Sequence, residues 1–225
     1  MSNLYVRTIR AGISGIINFA VLVFVPAWTL AYWQGWAFLL TFTAASAALT
    51  IYMAVYDPAL LERRLRAGPG AERQTSQKII MILAMFGFVS LIVLSVLDHR
   101  FGWSRVTASV SLLGDALIAL GFLVIFFVVK ENSYAASTIQ IAEGQEVIST
   151  GPYAVVRHPM YAGALLLLIG MPLALGSWYG LIGIFLFAPV LIWRLLDEEA
   201  FLSRNLPGYL EYKAKVRWRL IPGLF

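Results

Sequence analysis

The sequence predicts an all-α integral membrane protein of about six transmembrane helices ending in a C-terminal helical hairpin. Three observations lead there. Of 225 residues, 60% are hydrophobic and 13% charged, against about 25% charged in soluble domains. The apolar residues come in long uncharged runs, and the basic residues between those runs fall almost all on one side. A soluble fold of this size has too little interior for so much apolar surface, so lipid must cover it.

The spans follow in order. Ala11 to Tyr56 is 46 residues without a charge, room for two helices of about 20 residues. The polar and aromatic break Tyr32-Trp33-Gln34-Gly35-Trp36 divides them, its tryptophans suited to a membrane interface. Ile79 to Leu97 is a third span, and Val106 to Val129, with only Asp115 charged, a fourth. Pro159 to Trp193 is a further uncharged stretch of 35 residues, interrupted at Gly176-Ser177-Trp178-Tyr179-Gly180. It reads as a tight hairpin of two short helices, each roughly 25 Å long at about 1.5 Å per residue.

Six spans place 15 of the 17 Lys and Arg residues on one side, leaving Arg100 and Arg105 on the other. By the positive-inside rule the rich side, with both termini, is cytoplasmic. The chain then reads as one membrane domain, 1–225. Residues 1–129 supply four transmembrane helices and a cytoplasmic amphipathic loop at 57–78. Residues 130–225 supply a polar loop, the hairpin and a cytoplasmic C-terminal helix. In the 57–78 loop Leu60, Leu61 and Leu65 are expected to face the bilayer while Arg63, Arg64 and Arg66 face water or lipid phosphate. The N-terminal residues before the first span show no small-residue cleavage site, so no cleaved signal peptide is expected.

Several functions are excluded. Without cysteine there is no disulfide, thiolate catalysis or cysteine-ligated metal. His99 and His158 fall on opposite faces, so no metal site is expected. The basic residues form no continuous patch for nucleic acid. Gly68-Pro69-Gly70-Ala71 lacks the lysine of a phosphate-binding loop. Asp115 lies in the outer half of its span without a basic partner there, which suits packing or hydrogen bonding better than an ion path.

Polarity gathers in two segments, Lys130–Tyr161 and Arg194–Pro222, which flank the hairpin. A hairpin returns the chain to its starting side, so Arg157-His158 and Arg194/Asp197/Glu198/Glu199 must lie close together. Pro159 suits the first turn of a helix. His158 then sits at the helix N-terminus, an end that attracts anions, with Arg157 beside it. The Gly151-Pro152 turn brings Tyr153 to the same place. Arg194 and Glu198 are an i,i+4 pair on one helix face.

The run Gly151 to Gly163 (GPYAVVRHPMYAG), then DEEAFL from Asp197 and PGYLEYKAKVRWRLIP ending at Pro222, resemble the isoprenylcysteine carboxyl methyltransferase family and its phospholipid methyltransferase relatives. The ordered set spans Asn132 to Pro222. Two segments depart from the pattern: Gln145 stands where histidine is frequent, and Leu206-Pro207 replaces Phe-Gly, with one residue fewer before Tyr209. The resemblance implies a membrane enzyme using S-adenosyl-L-methionine bound near the cytoplasmic side. It implies cofactor contacts from Gln145, Glu146, Val147 and Ile148, from Tyr153, Arg157 and His158, and from Pro159, Met160, Tyr161 and Glu198. It implies a substrate role for Arg194, with Asn132 and Thr138 lining the same cavity. Arg194 and Glu198 are the expected catalytic pair.

The expected reaction is methyl transfer to a lipophilic acceptor, first of all carboxyl O-methylation of an isoprenylcysteine-like substrate. The alternatives are a phospholipid amine or a thiol as acceptor, and, outside enzymes, a transport or assembly protein. The expected partners are membrane lipid and the lipophilic or prenylated substrate, with no nucleic acid.

Overall fold

A computed structural model describes residues 2–72 and 74–225; Arg73, counted above among the basic residues, lies outside them. The described residues form eight α-helices and no strand. They are α1 (Ser2–Ala27), α2 (Trp33–Tyr56), α3 (Pro58–Leu65), α4 (Thr75–Phe101), α5 (Ala108–Glu131), α6 (Pro159–Ala174), α7 (Gly180–Asn205) and α8 (Tyr209–Lys215). Five of them, α1, α2, α4, α5 and α7, are long and apolar enough to cross a membrane. Their outward positions are apolar, as lipid contact requires: Leu40, Phe86, Phe185 and Leu186 are all exposed.

The hairpin is asymmetric, which corrects the expectation of two short helices. Helix α6 has 16 residues, about 24 Å. Helix α7 has 26, about 39 Å, because nothing after Trp193 breaks it: the segment from Arg194 to Asn205 contains no Gly or Pro. Its charged end therefore continues the same helix beyond the apolar part. The turn falls where the sequence placed it. Gly176 adopts the left-handed conformation (φ 74°), and its N–H and that of Ser177 donate to the carbonyls of Leu173 and Pro172, closing α6 as glycine-ended helices do.

Helices α5 and α6 pack more closely than any side chain larger than hydrogen allows. Gly114 and Gly121 on α5 face Gly170 and Gly163 on α6. A Cβ on Gly114 would sit 2.2 Å from the backbone nitrogen of Ala174, and one on Gly121 2.7 Å from the Gly163 carbonyl. Seven-residue spacing on both helices keeps the glycines along one seam. In lipid, where apolar side chains gain nothing by leaving the solvent, such close backbone approach is what joins helices. On the other flank, Phe19 of α1 bridges α2 and α4, its ring centroid 4.5 Å from Phe42 and 6.0 Å from Phe88.

A polar clamp fixes the hairpin end. Asp98, fully buried, accepts from Ser104 N and Oγ (2.6 Å each), Ser177 Oγ (2.5 Å) and Tyr179 N (3.3 Å). It thereby joins the α4–α5 connection to the α6–α7 turn. Tyr32 donates its hydroxyl to the Leu175 carbonyl and stacks on His99 at 3.9 Å, tying in the α1–α2 connection. Buried polar groups are mostly hydrogen-bonded, and Asp98 is: Oδ1 accepts one donor and Oδ2 three. Asp115 differs: it is buried with neither carboxylate oxygen bonded.

Helix α3 corrects the expectation of a bilayer-facing surface helix. Asp57 caps it by accepting from Leu60 N at 2.9 Å, with Pro58 in the first turn. Leu60 and Leu61 are buried against Leu49, Met53, Ile125 and Val129, so the leucine face meets protein. Two of the three arginines turn to the polar loop: Arg63 Nη2 donates to Ser133 O (2.6 Å) and Arg64 Nη1 to Ala135 O (2.8 Å), while Arg66 stays exposed beside Glu62.

Gly114→Val is expected to lower the detergent-solubilised protein's thermal midpoint by an amount matching the roughly 1–3 kcal/mol typical of overpacking, whereas Gly12→Val, at a site with nothing within 4 Å, leaves it unchanged. A thermal-shift measurement on both variants checks this.

Candidate active site

The polar loop 132–150, the N-terminal end of α6 and the charged end of α7 enclose a cavity of about 430 Å³, within the usual range for a small-molecule site. Every residue given a cofactor or substrate contact by the resemblance lines it, whereas Asp197 and Glu199 do not. Asn132 and Thr138 come from the start of the loop, and Gln145, Glu146, Val147 and Ile148 from its end. Tyr153, Arg157, His158, Pro159, Met160 and Tyr161 come from the approach to α6 and its first turn, and Arg194 and Glu198 from α7. The topological argument that the two motif segments converge is met by this geometry.

The cavity has two unlike ends. Its polar end holds the residues just named. Its other end runs between the helices, walled by Phe42, Phe88, Ile125, Leu168, Met171 and Phe187. From Tyr161 to Met171 it follows α6 over ten residues, about 15 Å. The apolar wall was not legible in the sequence, where these residues look like any other lipid-facing positions.

The charged groups at the polar end are mostly spoken for. Glu199, buried on α7, is the hub of one network. Arg157 Nε donates to its Oε1 at 2.6 Å, His158 Nε2 lies 3.3 Å from the same oxygen, and Arg219 Nε donates to Oε2 at 3.1 Å. Lys213 lies 3.5 Å away. Arg157 Nη1 donates further to the carbonyls of Val216 and Arg217 (2.8 Å each). The backbone N–H groups of Arg157 and His158 go to the Trp218 and Arg219 carbonyls at 2.9 Å. The approach to α6 thus spends its donors on holding the C-terminal tail, and the anion site expected from Arg157 is occupied by protein.

Arg194 is likewise engaged, by partners the sequence did not suggest. Its Nη2 donates to Glu72 Oε1 and to the Ser137 carbonyl (2.9 Å each), and its Nη1 to Gln77 Oε1 (2.7 Å). The i,i+4 pairing with Glu198 is replaced by a buried ion pair with Glu72, which also accepts from Ile139 N at 3.3 Å. The clue was present: Glu72 is an acid in a strongly basic loop, close before a span. Glu198 accepts from Tyr161 Oη at 2.6 Å and, among the described residues, has no cation within 4 Å.

The aromatic groups are held as neutral hydrogen-bonding walls. Asn132 Nδ2 donates to Tyr153 Oη (2.8 Å), and Tyr212 Oη to the Tyr153 carbonyl (2.8 Å). Burial pushes the Tyr153 phenol up to about 12, so it stays protonated near neutral pH. Burial raises the phenols of Tyr209 and Tyr212 as well. Both of those line the cavity from α8.

Fold and site together define an integral membrane helix bundle with a pocket that is polar at one end and apolar at the other. Residues 110–207 match the phospholipid methyltransferase family, the family of isoprenylcysteine carboxyl methyltransferase-like membrane methyltransferases, so the family read from the motifs is the family matched. The matched segment contains α6, α7 and most of the polar loop's cavity wall. Among curated proteins, the chain is 28% identical over 130 residues to the nickel-cobalt-cadmium resistance protein NccN of Alcaligenes xylosoxydans xylosoxydans, covering 51% of this chain and 61% of that protein. It is 28% identical over 93 residues to the Delta(14)-sterol reductase of Methylotuvimicrobium alcaliphilum, covering 40% of this chain and 22% of that protein. The chain therefore spans less than two thirds of either relative.

Removing the Glu199 carboxylate leaves Arg157 buried without its counter-charge, a loss of about 3–5 kcal/mol for such pairs. Glu199→Ala is expected to release the C-terminal tail, seen as faster limited proteolysis after Lys213 and Arg217 than in the parent protein.

Proposed function

We propose that the protein is an S-adenosyl-L-methionine-dependent methyltransferase of six membrane spans, α6 being the short one, with both termini and the cavity mouth on the cytoplasmic side. The observation that carries this reading is the two-ended cavity framed by the family's motif residues. One end offers charge and hydrogen bonds for a polar cofactor, and the other an apolar channel for a lipophilic acceptor. The basic residues Arg63, Arg64, Lys130, Arg157 and Arg194 cluster at the mouth end, in keeping with that orientation.

The residues fit the cofactor by their chemistry. Glu198 suits a ribose hydroxyl pair or an ammonium group, and Tyr153 and Tyr161 offer ring faces to an adenine or a sulfonium. When bound, the cofactor supplies a methyl group on a cationic sulfur for displacement by an acceptor lone pair. The chain's part is alignment and exclusion of water. The loop 132–150 and α8 cover the polar end, while the aromatic and aliphatic walls keep the other end dry. For a carboxylate acceptor such as an isoprenylcysteine, ionised at neutral pH, no base is required. For a phospholipid amine or a thiol, Glu198 takes the proton. Arg194, neutralised by Glu72, acts by fixing the loop at Ser137 against α7.

The sterol reductase match favours a second reading, reduction of a lipophilic substrate in the same cavity by a reduced nicotinamide cofactor. The transport reading lacks paired charges at mid-span: among the described residues, Asp115 has no basic partner.

Calorimetric titration in detergent separates these. S-adenosylmethionine is expected to bind and a reduced nicotinamide dinucleotide not to, and Glu198→Ala is expected to weaken the cofactor about tenfold, the order of a lost charge-assisted hydrogen bond. Labelled methyl transfer to prenylcysteine, phospholipid and thiol acceptors then identifies the substrate. Binding of the nicotinamide cofactor in place of S-adenosylmethionine would favour the reductase.

A further inference from the structure

Four basic side chains line the cavity: Arg64, Arg157, His158 and Arg194. Arg157 and His158 are balanced by Glu199, and Arg194 by Glu72. Arg64 differs. Its Nη1 donates to the Ala135 carbonyl (2.8 Å) and meets Met160 Sδ at 3.5 Å. Among the described residues no carboxylate lies within 4 Å of it. Its guanidinium presents five donors in a fixed fork, of which, among the described residues, only Nη1 has an acceptor. Burial without a counter-ion disfavours the charge, and the guanidinium pKa is lowered accordingly, although arginine stays protonated in proteins. A cation so placed gains most from an anionic ligand.

We propose that Arg64, on α3, is the anion anchor of the cavity and pairs with a carboxylate of the bound ligand. This rests on the methyltransferase reading. Two ligands bring that chemistry: the amino-acid end of the cofactor, and a carboxylate-bearing acceptor. A simple tether to loop 132–150 would need only the Nη1–Ala135 bond, which a neutral amide also makes. It would not need a charge facing the cavity.

Arg64→Gln keeps a donor for Ala135 and removes the charge; Arg64→Lys keeps the charge and loses the fork. Each is compared with the parent protein by calorimetry, using S-adenosylmethionine and its decarboxylated analogue, and by the KM of a prenylcysteine against the inhibition constant of the prenylcysteamine that lacks its carboxylate. If Arg64 holds the cofactor, Arg64→Gln weakens S-adenosylmethionine about tenfold or more and leaves the decarboxylated analogue unchanged, with Arg64→Lys in between. If it holds the acceptor, cofactor affinity is unchanged and only the KM of the carboxylate acceptor rises by that factor. Equal behaviour of Arg64→Gln and the parent in both assays overturns the proposal, as does Arg64→Lys matching Arg64→Gln throughout. Failure of the parent protein itself to bind S-adenosylmethionine overturns the methyltransferase reading, and the anchor falls with it.

Discussion

The polar half of the molecule depends on one buried carboxylate, Glu199. A charge taken out of water is tolerated only when paired and hydrogen-bonded on all sides, and Glu199 meets that condition by drawing in Arg157 and His158 from the start of α6, Arg219 from the tail and Lys213 from α8. The approach to α6, 42 residues earlier in the chain, is thereby held against α7, α8 and the tail around a single point. The tail reciprocates through the carbonyls of residues 216–219, which accept from Arg157 and His158. The cavity wall made by Tyr209 and Tyr212 stands where it does because the tail is anchored behind it.

The apolar half depends on a different constraint. Within lipid the helices gain little by burying apolar side chains, so contact must come from close backbone approach. The glycine seam between α5 and α6 supplies it and brings α6 against α5 along its length. That leaves the space between α2, α4 and α7 to be filled by large side chains, and Phe42, Phe88 and Phe187 fill only part of it. The cavity is therefore the complement of the seam: tight packing on one face of α6 leaves room on the other.

Much of this was legible in the sequence. Uncharged runs marked the five helices long and apolar enough to cross a membrane, Gly176 to Gly180 marked the turn, and the return of the chain after it placed Arg157-His158 beside Glu198-Glu199. These follow from length and local chemistry, which a sequence carries explicitly. What was not legible depends on how the 57–78 loop folds back. Leu60 and Leu61 have the pattern of a bilayer-facing helix, and only the packing against Leu49, Met53, Ile125 and Val129 shows them to be core. Once α3 lies there, Arg64 reaches the cavity and Glu72 reaches Arg194. Neither contact has a local signature, since the partners are more than 70 and 120 residues apart in sequence.

The paired acids Glu198 and Glu199 show why adjacency misleads. Successive residues on an α-helix point about 100° apart, so two carboxylates side by side in sequence serve different surroundings. Glu199 turns toward the tail and is saturated with cations; Glu198 turns toward Tyr161 and the cavity, with a single phenolic donor. The first is fixed and its charge is used up in holding the fold. The second keeps free lone pairs facing the cavity, which is the condition for meeting a ligand's donors or taking its proton. The division follows from the step of about 100° between successive helical residues: Glu199 takes the structural task, and under the proposed methyltransferase reading Glu198 takes the chemical one.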